Sequence, residues 1–266
     1  ENLEASGRAF YINKHHGCKL IGNHVTNSNY HDESSGVLFG GNGEGEELEF
    51  ADNIFTNCDG NEEDKGNAVK IAKINYDLLI KNTTFEHCVS ERSSDPLIGA
   101  KKREGYLIGI LTSMNPAHLT FNSCTFRYLK CNGMNGGAIG LHFYNGDSTS
   151  YSLLFEDTKF EHLIFSNNVY GGGAISCSGN HEETKFTDLT VRRCSFYNVS
   201  SVLGGGAIYF NTRNRNLIVE DSNFSLTYTQ NNEKGGAIFA QYYNENKKNN
   251  IMDVTITGCN FENTHS

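Results

Sequence analysis

Tryptophan is absent from this 266-residue chain, proline occurs twice and methionine three times. Basic residues are also scarce: 22 Lys and Arg stand against 31 Asp and Glu, for a formal net charge of −9. That balance argues against nucleic acid or an anionic membrane as partner, since both reward a basic face. No apolar run approaches the roughly 18 residues that cross a bilayer, so this segment does not insert in a membrane. Glu1 opens the chain with neither a charged n-region nor an apolar h-region. The eight cysteines include no Cys-x-x-Cys and, in a chain of this size, fit neither a dense disulfide scaffold nor a zinc module. The hydrophobic share is 37 %, below that of an ordinary globular domain. A chain this polar folds only if its apolar residues fall in register.

They do recur. Gly-Gly-Ala-Ile stands at Gly136–Ile139, Gly172–Ile175, Gly205–Ile208 and Gly235–Ile238. Degenerate copies begin at Gly7, Gly36, Gly66 and Gly105. A second motif, Leu-x-Φ-x-x-x-x-Phe with Φ apolar, follows each glycine motif. Its last position reads Val25, Phe55, Phe85, Phe126, Phe160, Phe196, Phe224 and Phe261. Five residues earlier stand Leu20, Phe50, Ile80, Phe121, Phe155, Val191, Val219 and Ile256. Within each unit the apolar period is 2, the strand signature, and no stripe has the helical period of 3.6. A unit of about thirty residues cannot bury its own apolar side, but stacked units can.

The fold class that follows is all-β: a right-handed parallel β-helix, pectin-lyase-like, of about eight coils rising about 38 Å. Residues 1–266 form one such domain, expected to be a fragment of a longer repeat protein. In this reading Phe10, Phe39, Val69, Ile108, Ile139, Ile175, Ile208 and Ile238 make one inner wall. The outward residues beside them are Tyr11, Gly40, Lys70, Gly109, Gly140, Ser176, Tyr209 and Phe239. The segments 59–65, 89–104 and 242–250 are polar outer loops.

The repeated Gly-Gly-Ala-Ile, interleaved with short Phe motifs, resembles the repeat of the chlamydial polymorphic membrane proteins and of similar β-helical surface proteins of parasitic protists. The chain departs from that family's Phe-x-x-Asn, reading Phe-x-Asn or Phe-x-His, as in Phe55-Thr56-Asn57 and Phe85-Glu86-His87. The resemblance implies a secreted β-helical adhesin. The expected function is thus a non-catalytic module of the extracellular space or cell surface, acting in adhesion or as a fibre component. Its expected partners are other protein chains or host and matrix glycans, with end-to-end self-association of uncapped coils as a further expectation. The alternative is a polysaccharide lyase or glycoside hydrolase built on a β-helix.

No residue is assigned a catalytic, cofactor or metal role. The outward column named above holds no carboxylate, and the chain has no Gly-x-Ser-x-Gly, His-Glu-x-x-His or P-loop. Two residues after each Phe position stand Asn27, Asn57, His87, Tyr128, His162, Asn198, Leu226 and Asn263. They read as a stacked polar ladder rather than a metal or sugar site. Glu156-Asp157, Arg192-Arg193 and Glu220-Asp221 read as acid over base over acid, a surface ion-pair ladder. The acidic stretches Glu44–Glu49 and Asp59–Asp64 match no calcium motif and read as solvated loops. Asn82, Asn198 and Asn223 open Asn-x-Ser/Thr sequons and are glycosylation candidates. Cys58 and Cys88 share a motif position in adjacent coils, where a disulfide or a pair of buried thiols both fit. Cys124, Cys194 and Cys259 share another position in non-adjacent coils and read as small inward residues.

Overall fold

The computed structural model describes residues 10–13, 18–27, 29–30, 37–40, 48–60, 69–74, 77–90, 106–112, 117–131, 137–143, 150–165, 171–179, 185–212, 216–232, 234–242 and 252–266. The chain is an all-β parallel solenoid with three sheets. Each unit contributes one strand to a first sheet, from Phe10–Asn13 through Gly137–Phe143 to Ile238–Tyr242. The next strand joins a second sheet, from Cys18–Ile21 through Ser150–Glu156 to Asp253–Thr257. The third sheet runs from His24–Thr26 through Lys159–Phe165 to Asn260–Glu262. Every pairing recorded among the named strands is parallel and joins neighbouring units.

Register follows the apolar motifs. Phe55, Phe85, Phe126, Phe160, Phe196, Phe224 and Phe261 lie directly over one another. Their rings stack at centroid spacings of 5.1, 5.1, 5.0, 4.9, 4.6 and 4.9 Å, with interplanar angles of 3–8°. The second sheet supplies the facing wall: Phe121 stacks on Phe155 at 4.8 Å, and Phe155 meets the edge of Phe160 at 5.8 Å. Ile139, Ile175, Ile208 and Ile238 form the third wall. On the last coil Val254, Ile256 and Phe261 remain 43–44 % exposed, whereas their counterparts in the coil before are buried.

Two expectations about the first sheet need correction. Val37, not Phe39, pairs with Phe10 and Val69; Phe39 lies two residues further along the strand, in register with Ile12 and Ile71. Leu38, not Gly40, is therefore in register with Tyr11 and Lys70. Nor does the outward column face solvent throughout, because Ser176 and Tyr209 are buried. The incoming chain at Gly171 and Gly172 lies against Tyr209, so close that a Cβ on either glycine would come within 2.9 Å of it. Tyr209 in turn stacks on Phe239 at 5.2 Å. The segments expected as loops from 59 and 89 begin with short strands, Asp59–Gly60 and Val89–Ser90. Their remainders, and most of both acidic stretches, lie outside the described residues.

The paired glycines divide two tasks, clearest at Gly205 and Gly206. Gly205 has φ +72°, a conformation that a Cβ disfavours. Gly206 closes the coil: a Cβ there would meet the Gly236 carbonyl oxygen at 2.1 Å and the Tyr228 backbone nitrogen at 2.6 Å. The glycine pair brings the first strand of the coil against the backbone of its third.

Candidate functional site

Two corners in every unit set where the outward side chains point. At the first, Gly22, Asp52, Asn82, Ser123, Asp157, Arg193, Asp221 and Gly258 all have φ between 49° and 71°. At the second, Asn27, Asn57, His87, Tyr128, His162, Asn198, Leu226 and Asn263 have φ between 51° and 55°. Non-glycine residues seldom hold this left-handed conformation, and Asn and Asp hold it most readily. That preference accounts for the amide-rich second column, whose members the sequence singled out.

The second column is the stacked ladder expected. Asn57 Nδ2 donates to Asn27 Oδ1 at 3.2 Å. His87, Tyr128 and His162 stack face to face at 5.0 and 4.9 Å. Asn198 Nδ2 meets His162 Nδ1 at 3.0 Å. Tyr128 separates the two histidines. Beside this column Arg127 binds Glu86 at 2.9 Å, and this partner raises its pKa.

The charged pairs also fall as expected. Glu156 pairs in register with Arg192, and Arg192 with Glu220. Arg193 binds Asp157 through two bonds of 2.8 and 2.9 Å and reaches Glu156 at 2.7 Å. Arg192 binds Glu220 at 2.8 Å. The Arg193 guanidinium holds the Asp157 carboxyl below its ordinary range, and its own pKa rises correspondingly. Near the other end Glu49 sits between Lys19 at 3.0 Å and Lys81 at 2.9 Å, which lower its pKa.

The cysteines belong to a wider ladder that cysteine counting alone does not reveal. Just after the first corner, inside the coil, stand Asn23, Asn53, Thr83, Cys124, Thr158, Cys194, Ser222 and Cys259. Several donate to the carbonyl two residues back: Thr83 to Lys81 at 2.9 Å, Cys124 to Asn122 at 3.4 Å, Ser222 to Glu220 at 2.8 Å. Several also reach the coil below: Asn53 Nδ2 to the Leu20 carbonyl at 2.7 Å, Cys124 Sγ to that of Ile80 at 3.4 Å. Backbone N–H groups in turn use the side chains above them, as Cys194 N donates to Ser222 Oγ at 3.0 Å. These buried side chains satisfy corner backbone groups that would otherwise lack partners. Burial pushes the Cys124 and Cys194 thiols up to about 12. Cys58 and Cys88 occupy the second corner's interior, both as buried thiols. A hydrogen bond between them is the first cause of the raised Cys88 pKa.

The sequons differ in setting. Asn82 is exposed and donates to Asp52 Oδ1 at 3.0 Å; Asn198 is half-buried against His162; Asn223 is exposed at a strand start. Among the described residues no group of three or more His, Cys, Asp or Glu side chains is placed to hold a metal ion.

One outward column escaped sequence reasoning. On the outer face of the second sheet His118, Ser152, Asp188, Asn216 and Asp253 follow one another in register, and Asp77 precedes the same strand one coil below His118. Asp77 Oδ1 accepts the His118 backbone N–H at 2.9 Å, and His118 Nδ1 lies 2.5 Å from Ser152 Oγ. Asp188 Oδ1 is buried with no hydrogen-bond partner. Two residues along, Leu79, Thr120, Leu154, Thr190, Ile218 and Thr255 alternate aliphatic and hydroxyl side chains, all but the exposed Thr255 half-buried. The signal available was the residue just before the Leu-x-Φ motif, polar in every unit after the first, from Glu47 to Asp253. It borders the segments of variable length and so reads as loop.

No family model, no curated protein and no solved structure matches this chain.

Proposed function

We propose that this chain is a non-catalytic module of the extracellular space or cell surface, acting in adhesion or as a fibre component. The observation that carries the reading is the organisation of the outward side chains. They run in straight columns along the solenoid axis, and in the charged columns acids and bases bind one another. Such a surface presents the same kind of contact over many coils, which suits an extended partner. The Gly-Gly-Ala-Ile repeat, as in the polymorphic membrane proteins, supports a role as a surface protein. Host or matrix glycans and other protein chains are the partners that fit.

The test uses beads coated with the purified chain, applied to epithelial cells and to immobilised matrix glycoproteins. Retention above beads coated with an unrelated acidic protein is expected; retention no better than that control would refute the reading. One observation favours a glycoside hydrolase instead. Asp188 and Asp253 face the same way two coils apart, about 9.6 Å at parallel-strand spacing. That backbone spacing lies just beyond the carboxyl separation used by inverting enzymes, about 6.5–9.5 Å, and rotation of the exposed Asp253 side chain brings the two carboxyls within it. Release of new reducing ends from a polysaccharide panel, abolished by Asp188→Asn, would establish the enzyme and remove the adhesive reading.

A further inference from the structure

We propose that Cys58 and Cys88 close a disulfide that staples the second coil to the third while the chain folds in an oxidising compartment. The compartment rests on the extracellular reading; the pairing rests on register and does not.

Register selects this pair. Phe55 lies over Phe85, Thr56 over Glu86 and, past the cysteines, Asp59 over Val89. Cys58 therefore stands over Cys88, with Cα atoms about 4.8 Å apart, inside the range of about 4.4–6.8 Å that a disulfide uses. Both side chains are fully buried in the core, and their thiols are already hydrogen-bonded to each other. No other cysteine among the described residues has a cysteine neighbour. Cys18 pairs with Leu48, Cys131 lies between Ser90 and Phe165, and Cys177 between Leu141 and Phe210. Cys124, Cys194 and Cys259 alternate with Thr158 and Ser222 in the interior ladder.

The local backbone leaves room for the bond. In the second and third coils the third sheet is broken at the cysteines: Ile54–Thr56 stops before Asp59–Gly60, and Thr84–Glu86 before Val89–Ser90. In the fifth and sixth coils the same stretch is one strand, Lys159–Phe165 and Ser195–Ser201. Parallel register holds the Cβ atoms about half an ångström wider than a relaxed disulfide prefers, and the broken ladder lets the two corners close that distance. Few contacts oppose it. Cys58 Sγ reaches the carbonyls of Val25 and Thr56 only at 3.9 and 3.7 Å, and Cys88 Sγ those of Phe55 and Glu86 at 3.7 and 3.4 Å. The bond would tie units about thirty residues apart, removing freedom from the unfolded chain, and would join the coils where backbone pairing is interrupted.

The chemistry is thiol–disulfide exchange with a small-molecule disulfide. One cysteine thiolate attacks the reagent, forming a mixed disulfide and releasing one thiolate. The second cysteine thiolate displaces the other half, so the two thiols lose two protons and two electrons and the reagent becomes two thiols. In the folded chain the hydrogen bond with Cys58, and burial, hold the Cys88 thiol protonated. The exchange therefore belongs to folding, before the third coil closes over the second.

The experiment refolds the intact chain from urea and dithiothreitol into reduced and oxidised glutathione, then maps the product by non-reducing peptide mass spectrometry. Peptides joined through Cys58 and Cys88 are expected in most of the folded product, and N-ethylmaleimide in urea should then label six of its eight cysteines. Chain folded first in dithiothreitol and then given oxidised glutathione should form the link about tenfold more slowly. The linked chain should unfold at a higher urea concentration than the reduced chain, and Cys88→Ala should remove that difference. If the variant fails to fold, the linked and reduced forms of the parent chain alone decide. Two free thiols in most of the folded product, or bonds from either cysteine to another partner, overturn the proposal. So does a link that leaves the urea midpoint unchanged, or one that forms equally fast in the folded chain. If the link forms and coated beads do not adhere to cells, the staple stands and the adhesive reading falls. Adhesion by a chain whose two thiols stay free sinks the staple alone.

Discussion

Truncating the same repeat position in two coils should have unequal cost. Phe160 is fully buried, with Phe126 at 5.0 Å on one face, Phe196 at 4.9 Å on the other and the Phe155 ring at its edge. Replacing such a ring with alanine costs about 3–5 kcal/mol. Stacked neighbours on both faces place Phe160→Ala toward the upper end, because parallel strands above and below cannot both collapse into the gap. Phe261 has Phe224 at 4.9 Å on one face and is 44 % exposed. About half the apolar area is at stake there, so Phe261→Ala should cost roughly 1.5–2.5 kcal/mol. Urea unfolding with linear extrapolation measures both. The urea slope must be reported with the midpoint: in a solenoid stabilised by neighbour contacts, uncoupling of an end coil lowers the slope before the whole chain melts. Equal costs for the two substitutions, or a larger one for Phe261→Ala, would refute a core built as a column of like rings.

Further expectations concern the corners and the charges. Leu226 holds φ 54° in a column otherwise rich in amides, between Asn198 and Asn263. Leu226→Asn should raise stability by about 1 kcal/mol, read as a higher urea midpoint with unchanged slope. Arg193 depresses the Asp157 pKa, so their contact stabilises the fold above the unfolded carboxyl value, about 3.9, and its contribution fades as pH falls through the lower folded value. Arg193→Gln should thus lower the midpoint at neutral pH, and the gap to the parent protein should close in acid and shrink in high salt; a gap constant across pH would contradict the ion pair. Cys124, Cys177 and Cys194 are buried and their thiols are pushed up by desolvation. Iodoacetamide at mildly alkaline pH should leave all three unmodified in the folded chain and label them in urea, as peptide mass spectrometry will report.

The Phe and Leu-x-Φ columns were legible because their mutual spacing never changes, so the sequence aligns itself there. Phe39 was misplaced for a definite reason. Val37 and Phe39 are both apolar and two residues apart, and a slip of two keeps a strand's faces unchanged. Periodicity cannot choose between them, and the degenerate glycine motif at Gly36 gives no second glycine to fix the start. The burial of Ser176 and Tyr209 was equally out of reach, since it depends on where the chain at Gly171 and Gly172 lies after turning. The interior ladder could have been read. Each of its eight members stands two residues before the Phe position, and each can hydrogen-bond. Considering the cysteines apart from Asn53, Thr83, Thr158 and Ser222 hid the common role. The polar column on the second sheet stands one residue before the Leu-x-Φ motif, but its place beside segments of variable length hides it in the sequence.

The corners explain why one part of each coil is invariant and another is free. The two left-handed positions lie five residues apart in all eight units, from Gly22 and Asn27 to Gly258 and Asn263. Between them the chain must place one hydrogen-bonding side chain for the corner carbonyls and one apolar side chain in the core, Val25 in the first unit and a ring in the rest. An insertion there would break both columns of positive φ, turn the ring outward and leave buried carbonyls without donors. The passage from the first sheet to the second bears no such constraint. From Phe143 to Ser150 it runs over six intervening residues, and from Thr212 to Asn216 over three, while Leu153 and Leu217 still fall in the same column. Variation is thus tolerated where the polar column through Asp188 begins. That side of the solenoid can change its chemistry from coil to coil without disturbing the core, which is the condition a binding surface on a repeat scaffold has to meet.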